Sequence, residues 1–128
     1  MAVGILIITH DGIGPALLGT ASLMLTECPL EAKLLNASAD GDPEQLEIDA
    51  VELVDQLDRG EGVLILTDLA GSTPSNIAAR IAQERHGIRI VSGINMSMLI
   101  RLFNYPDCNL DELAEKALSG GKDGITRV

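Results

Sequence analysis

The chain has 128 residues, a formal net charge of -10 and 46% apolar residues, with one Phe, one Tyr and no Trp. That length suits one domain spanning residues 1–128, burying roughly two thirds of its unfolded surface around an aliphatic core. The charge repels phosphate backbones and anionic lipid, and so few aromatic rings give no base-stacking platform, so nucleic acid is not an expected partner.

Cys28 and Cys108 lie far apart without metal-type spacing, and the start Met1-Ala2-Val3-Gly4 lacks a basic leader. No apolar run approaches the roughly 18–20 residues of a membrane span. A cytoplasmic protein without direct membrane insertion is expected.

Residues 3 to 9 form an unbroken Val/Ile/Leu run that suits a parallel strand buried on both faces. Pro15 sits well at a first helical position, and Leu17, Leu18, Ala21, Met24 and Leu25 make the stripe of a helix that stops before Pro29. A strand from Glu31 to Asn36 mixes Glu, Lys and Ala with leucines, which an edge position tolerates. Asp42-Pro43-Glu44-Gln45 supplies an N-cap, a first-turn proline and a capping-box Gln for the next helix.

Gly62 to Thr67 reads as a further buried strand, followed by Asp68, the loop Leu69-Ala70-Gly71-Ser72-Thr73 and a helix entered at Pro74. Ile88 to Val91 forms a short strand, and Ser92-Gly93-Ile94-Asn95 turns into a helix stopped by Pro106. Asn109 and Glu112 make a capping box for a last helix that Gly120-Gly121 would end, leaving Gly124 to Val128 for an edge strand. The alternation predicts a doubly wound α/β fold with a mainly parallel sheet, flavodoxin-like order 2-1-3-4 plus the C-terminal edge strand, and helices on both faces.

His10 ends the first strand, and Asp68 ends the third. In that order the two strands are neighbours about 4.8 Å apart, so the two side chains meet where open α/β sheets bind ligands. A carboxylate that accepts one ring N–H fixes the imidazole tautomer, aims the other nitrogen outward and stabilises positive charge on the ring. Thr73 at a helix start, with Gly71 and Ser72 keeping the loop small, offers a hydroxyl and free amides to an anion. Together these residues form a receptacle for a phosphoryl group on a nucleophilic histidine. Asp68 and Thr73 taken singly also read as ordinary caps.

His86 falls at the end of a helix, where a cation complements the dipole. Asn95 is expected to cap its helix, and Asp11 either tunes the imidazole or faces water. Gly12-Ile13-Gly14-Pro15-Ala16-Leu17 begins like a dinucleotide fingerprint but has Leu17 where a small residue belongs. No Gly-Lys-Ser/Thr follows a strand, and His10 stands where a receiver domain requires acids. No second ligand of metal type accompanies His10, and no metal or organic cofactor is expected.

Three segments carry a likeness: Ile7-Ile8-Thr9-His10, Asp68-Leu69-Ala70-Gly71-Ser72-Thr73-Pro74-Ser75-Asn76, and Val91-Ser92-Gly93-Ile94-Asn95-Met96-Ser97-Met98-Leu99. Together they resemble the enzyme IIA component of mannose-family (mannose/fructose/sorbose) phosphoenolpyruvate-dependent sugar phosphotransferase systems. The resemblance implies that His10 accepts a phosphoryl group from the histidine phosphocarrier protein and passes it to a IIB component for sugar uptake or to a regulatory target. It further implies that Asp68 orients His10, that Gly71 and Thr73 match the loop glycine and the phosphoryl-holding hydroxyl, and that the protein forms a homodimer in which the final strand can pair across the interface. Many transporter-linked members carry an aromatic residue and two glycines where this chain has Ala70 and Gly71-Ser72. Two other readings are a non-catalytic regulatory binding module and the phosphotransfer subunit of a dihydroxyacetone kinase system.

Overall fold

The computed structural model describes residues 2–128; Met1, read above as part of the leaderless start, lies outside them. Strands and helices alternate as β1 (Gly4–His10), α1 (Ile13–Met24), β2 (Ala32–Ala37), α2 (Pro43–Leu57), β3 (Val63–Thr67), α3 (Thr73–Glu84), β4 (Ile88–Ser92), α4 (Met96–Phe103) and α5 (Leu110–Asp123). The strands pair in parallel in the order β2-β1-β3-β4.

The central strands are the apolar ones because both of their faces are covered. Ile5 and Ile7 of β1, with Leu64 and Leu66 of β3, pack under α1, α4 and α5, while Leu6, Ile8, Val63 and Ile65 pack under α2 and α3. Ile5, Leu6, Ile7 and Ile8 are fully buried, and each such side chain contributes about 1.5–3 kcal/mol. Charges are confined to the edges: Lys33 lies on half-buried β2, and Arg89 of β4 donates to Asp111 at 2.7 Å. Edge strands so marked resist pairing with other chains.

The chain leaves β1 toward β2, then crosses back over β1 to β3 and continues outward to β4. This reversal puts α1 and α2 on opposite faces and opens a crevice at the carboxyl ends of β1 and β3. The register pairs Ile8 with Thr67, so His10 and Asp68 emerge together at that crevice.

The ends of several helices differ from expectation. Pro15 is the third residue of α1, because Gly12 in a left-handed conformation (φ 85°) serves as the N-cap and starts the helix earlier. A missing N–H is still harmless there, since the first four amides of a helix have no partner within it. Asp42 caps α2 by accepting from Glu44 N at 3.0 Å, but Gln45 closes no capping box and instead donates to Asp49 Oδ1. The box of Asn109 and Glu112 forms in both directions.

The C-terminal edge strand does not form, and among the described residues 124–128 carry no regular structure. Gly120 and Gly121 do not end α5. They lie in its last turn, where a Cβ on Gly120 would collide with Arg101 Cβ and one on Gly121 would come within 3.1 Å of Met98 Cε. The glycine pair thus serves close approach of α5 to α4, and the helix uses up the residues that would precede a strand.

Gly120→Ala is therefore expected to destabilise the fold by about 1–3 kcal/mol through overpacking. Gly19→Ala, at an exposed position of α1 with open space around it, is expected to stabilise by roughly 0.5–1 kcal/mol. Urea unfolding of the two variants measures both changes.

Candidate functional site

β1 carries His10 out of the core: the residue before it is fully buried, while the His10 side chain is 46% exposed. Asp68 follows β3 at once, and its side chain is only 10% exposed. Its Oδ2 lies 2.8 Å from His10 Nδ1 and also accepts from the His10 backbone N at 3.2 Å. One carboxylate oxygen therefore fixes both the main chain and the ring of the same residue.

Burial pushes the Asp68 carboxyl up. Hydrogen bonds from the His10 ring and backbone and from its own backbone, together with the charge of the ring, outweigh that and hold it below its ordinary value of 3.8. An ionised carboxylate can only accept, so whenever the ring is neutral Nδ1 carries the proton and the lone pair resides on Nε2. The second oxygen, Oδ1, is buried without a hydrogen-bond partner. Such an oxygen is costly to leave unsatisfied and gains from any increase of positive charge on the ring.

A cleft of about 470 Å³ opens beside His10, bounded by the end of β2, the first turns of α2 and Thr73. Leu35, Leu46 and Pro43 supply apolar wall, and Asp42 and Asp49 supply acidic wall. Thr73 is the first residue of α3 and lines the same cleft as His10, so the cleft adjoins the amide end of that helix. The structure thus brings His10 and Asp68 into direct contact and Thr73 into the shared cleft.

Gly71 and Ser72 stand in the adjoining loop and outside the cleft wall. Gly71 adopts φ 82° with nothing crowding its Cβ position, so its backbone conformation is what calls for glycine. Ser72 is the N-cap of α3 by position, but its hydroxyl donates back to the Leu69 carbonyl. The start of α3 consequently has no side-chain cap competing for its amides.

Asn95 caps α4 by accepting from Met98 N at 2.9 Å and ties the loop to α5 through the Gly121 carbonyl. His86 lies beyond the C-cap of α3 and is exposed, outside the last turn where a cation meets the dipole. Asp11 accepts from Ser38 Oγ at 3.3 Å, linking two loops at the rim. Sequence reasoning missed the acidic wall from α2 and the buried Thr9 hydroxyl. A threonine ending a run of isoleucines was the signal for the second. Among the described residues no group of three His, Cys, Asp or Glu side chains could hold a metal, and no helix is long and apolar enough to cross a membrane.

An imidazole with one nitrogen held by a carboxylate, on a residue that lines an open cleft, is equipped for nucleophilic or proton-transfer chemistry. Residues 4–118 match the family described as the PTS system fructose IIA component. The chain belongs to this mannose-type enzyme IIA family of the sugar phosphotransferase system.

It is 29% identical over 127 residues to the mannose-specific EIIAB component of Escherichia coli (strain K12), covering 98% of this chain and 39% of that relative. The chain therefore spans about two fifths of the length of that longer protein. Among solved structures, the mannose/sorbose specific IIA subunit from Enterococcus faecalis superposes with a TM-score of 0.89 at 23% identity, covering 100% of this chain and 96% of that one. The PTS IIA protein associated with the fucose utilization operon from Streptococcus pneumoniae gives a TM-score of 0.80 at 26% identity, covering 99% and 96%.

The depressed Asp68 carboxyl fixes the sign of one pH dependence. Its contribution to stability is fully present above the ordinary value of 3.8 and is lost as pH falls through the lower folded value. The stability advantage of the wild type over Asp68→Asn is expected to hold at pH 5 to 7 and to shrink on acidification below about pH 4. Denaturant melts across that range give the difference.

Proposed function

We propose that the protein is a phosphoryl carrier that takes a phosphoryl group on His10 from a histidine phosphocarrier protein and passes it to a IIB component or a regulatory target. The observation that carries this reading is the single Asp68 oxygen shared by His10 N and Nδ1. Nε2 attacks the phosphorus in line, the bond from phosphorus to the donor nitrogen breaks, and that nitrogen keeps the electron pair. The His10 ring, now bonded at both nitrogens, carries positive charge beside the Asp68 carboxylate, which stabilises it. Thr73 and the amides opening α3 bind the phosphoryl oxygens, with Gly71 and Ser72 shaping the loop. The return step is the same displacement by the acceptor, so the reading requires neither metal nor organic cofactor.

The same reading makes the chain a one-domain, cytoplasmic phosphotransferase component that acts as a homodimer. Family membership supports the phosphotransfer role, and the cleft beside His10 offers a surface that two partners can use in turn. The sugar and the downstream acceptor depend on those partners.

Incubation with phosphoenolpyruvate, enzyme I and the phosphocarrier protein is expected to add one acid-labile phosphoryl group, read by intact mass. His10→Gln should abolish the adduct and His86→Gln should retain it. A label that persists in His10→Gln overturns the assignment. Asp68→Asn is expected to slow labelling by roughly 10- to 100-fold, the order for removing the partner that orients an imidazole. Thr73→Ala should slow it by about tenfold or more, as loss of one donor to developing anionic charge does. Unchanged rates would remove those two residues from the site.

A further inference from the structure

Thr9 and Thr67 are the fully buried polar side chains among the described residues, and their hydroxyls have different duties. Thr67 Oγ1 pairs with Ser92 Oγ across two strand ends at 2.7 Å. Thr9 Oγ1 accepts from Gly14 N and donates to the His10 carbonyl, each at 2.8 Å. Alternation along β1 places Thr9 on the α1 face, with Ile5 and Ile7, and His10 on the opposite face. The hydroxyl therefore reaches the histidine through its main chain, from the side away from the cleft.

The pairing is built on both sides. A Cβ on Gly14 would fall 3.0 Å from Thr9 Oγ1 and 3.1 Å from Ile7 Cγ2, so glycine is what lets α1 approach the strand end. A valine would fit the apolar surroundings of Thr9 without the cost of burying a hydroxyl, so the oxygen is there for its two hydrogen bonds. Asp68 Oδ2 already holds the His10 N, and Thr9 holds the His10 C=O. With both ends of the residue anchored, only the two side-chain torsions remain free, and the bond from Nδ1 to the same Oδ2 removes that freedom.

We propose that Thr9 is a positioning residue for His10: its hydroxyl locks the histidine main chain to the first turn of α1, so that one Asp68 oxygen can take the backbone N and Nδ1 together. The kinetic part rests on the phosphoryl-carrier reading above, whereas the tautomer part does not.

The test is nitrogen-15 NMR of the His10 imidazole in the full-length chain, recorded where the ring is neutral, with phosphorylation rates measured in parallel. Thr9→Val should shift the ring from the Nδ1–H form toward a mixture of tautomers and slow phosphorylation by about tenfold. Thr9→Ser, which keeps the hydroxyl, should preserve the tautomer and stay within about threefold of the wild-type rate. Leu113→Ala, in the core under α5, serves as a control that loses stability without touching the corner. If Thr9→Val fails to fold, Gly14→Ala, which pushes against the same hydroxyl, is expected to give the same tautomer shift while Thr9→Ser does not.

A wild-type tautomer in Thr9→Val, or in Gly14→Ala when that variant stands in for it, overturns the proposal. So does an equal tautomer shift in Leu113→Ala, which would make the effect one of general stability. A shifted tautomer with no phosphorylation of any variant, wild type included, supports the positioning role and defeats the carrier reading instead.

Discussion

Asp68 Oδ2 is the point on which the site turns. It accepts from the backbone and the ring of one residue, and both bonds form only because β1 and β3 are adjacent in a fixed parallel register. That register depends in turn on apolar faces: a slip of one residue would carry Leu6 and Ile8 to the wrong helical layer and turn His10 toward α1. The polar contact at the crevice is thus kept in place by the burial of a strand with no polar side chain between Gly4 and Ile8.

Much of this was legible in the residues. Unbroken Ile/Leu/Val runs announced the two central strands, Lys33 in β2 with Glu31 just before it announced an edge, and the turn after each strand placed His10 and Asp68 at one end of the sheet. These signals are strong because they follow from burial on two faces, which composition records directly. The reversal in strand order is that of the flavodoxin-like pattern, and with that order the handedness of parallel connections sets which face each helix covers.

What stayed hidden depends on contacts between elements distant in sequence. Gly120-Gly121 looks like a helix terminator until α4 is known to press on it, at which point the same pair explains why the helix continues. Gln45 has the spacing for a capping box, yet its side-chain NH2 donates to Asp49 one turn later and its oxygen accepts nothing from the N-cap. Thr9 reads as one more β-branched strand residue, because the amide that needs its hydroxyl belongs to Gly14, around a corner the sequence does not show.

The cleft beside His10, at about 470 Å³, is several times larger than a phosphoryl group would occupy. A small phosphate donor would touch its floor and leave the walls from β2 and α2 hydrated, gaining little from them. A macromolecular donor can displace that water and spread its contacts over both walls. On the carrier reading proposed above, the dimensions of the opening favour a donor that fills the space, because only such a donor is held long enough, and in line, for transfer to Nε2.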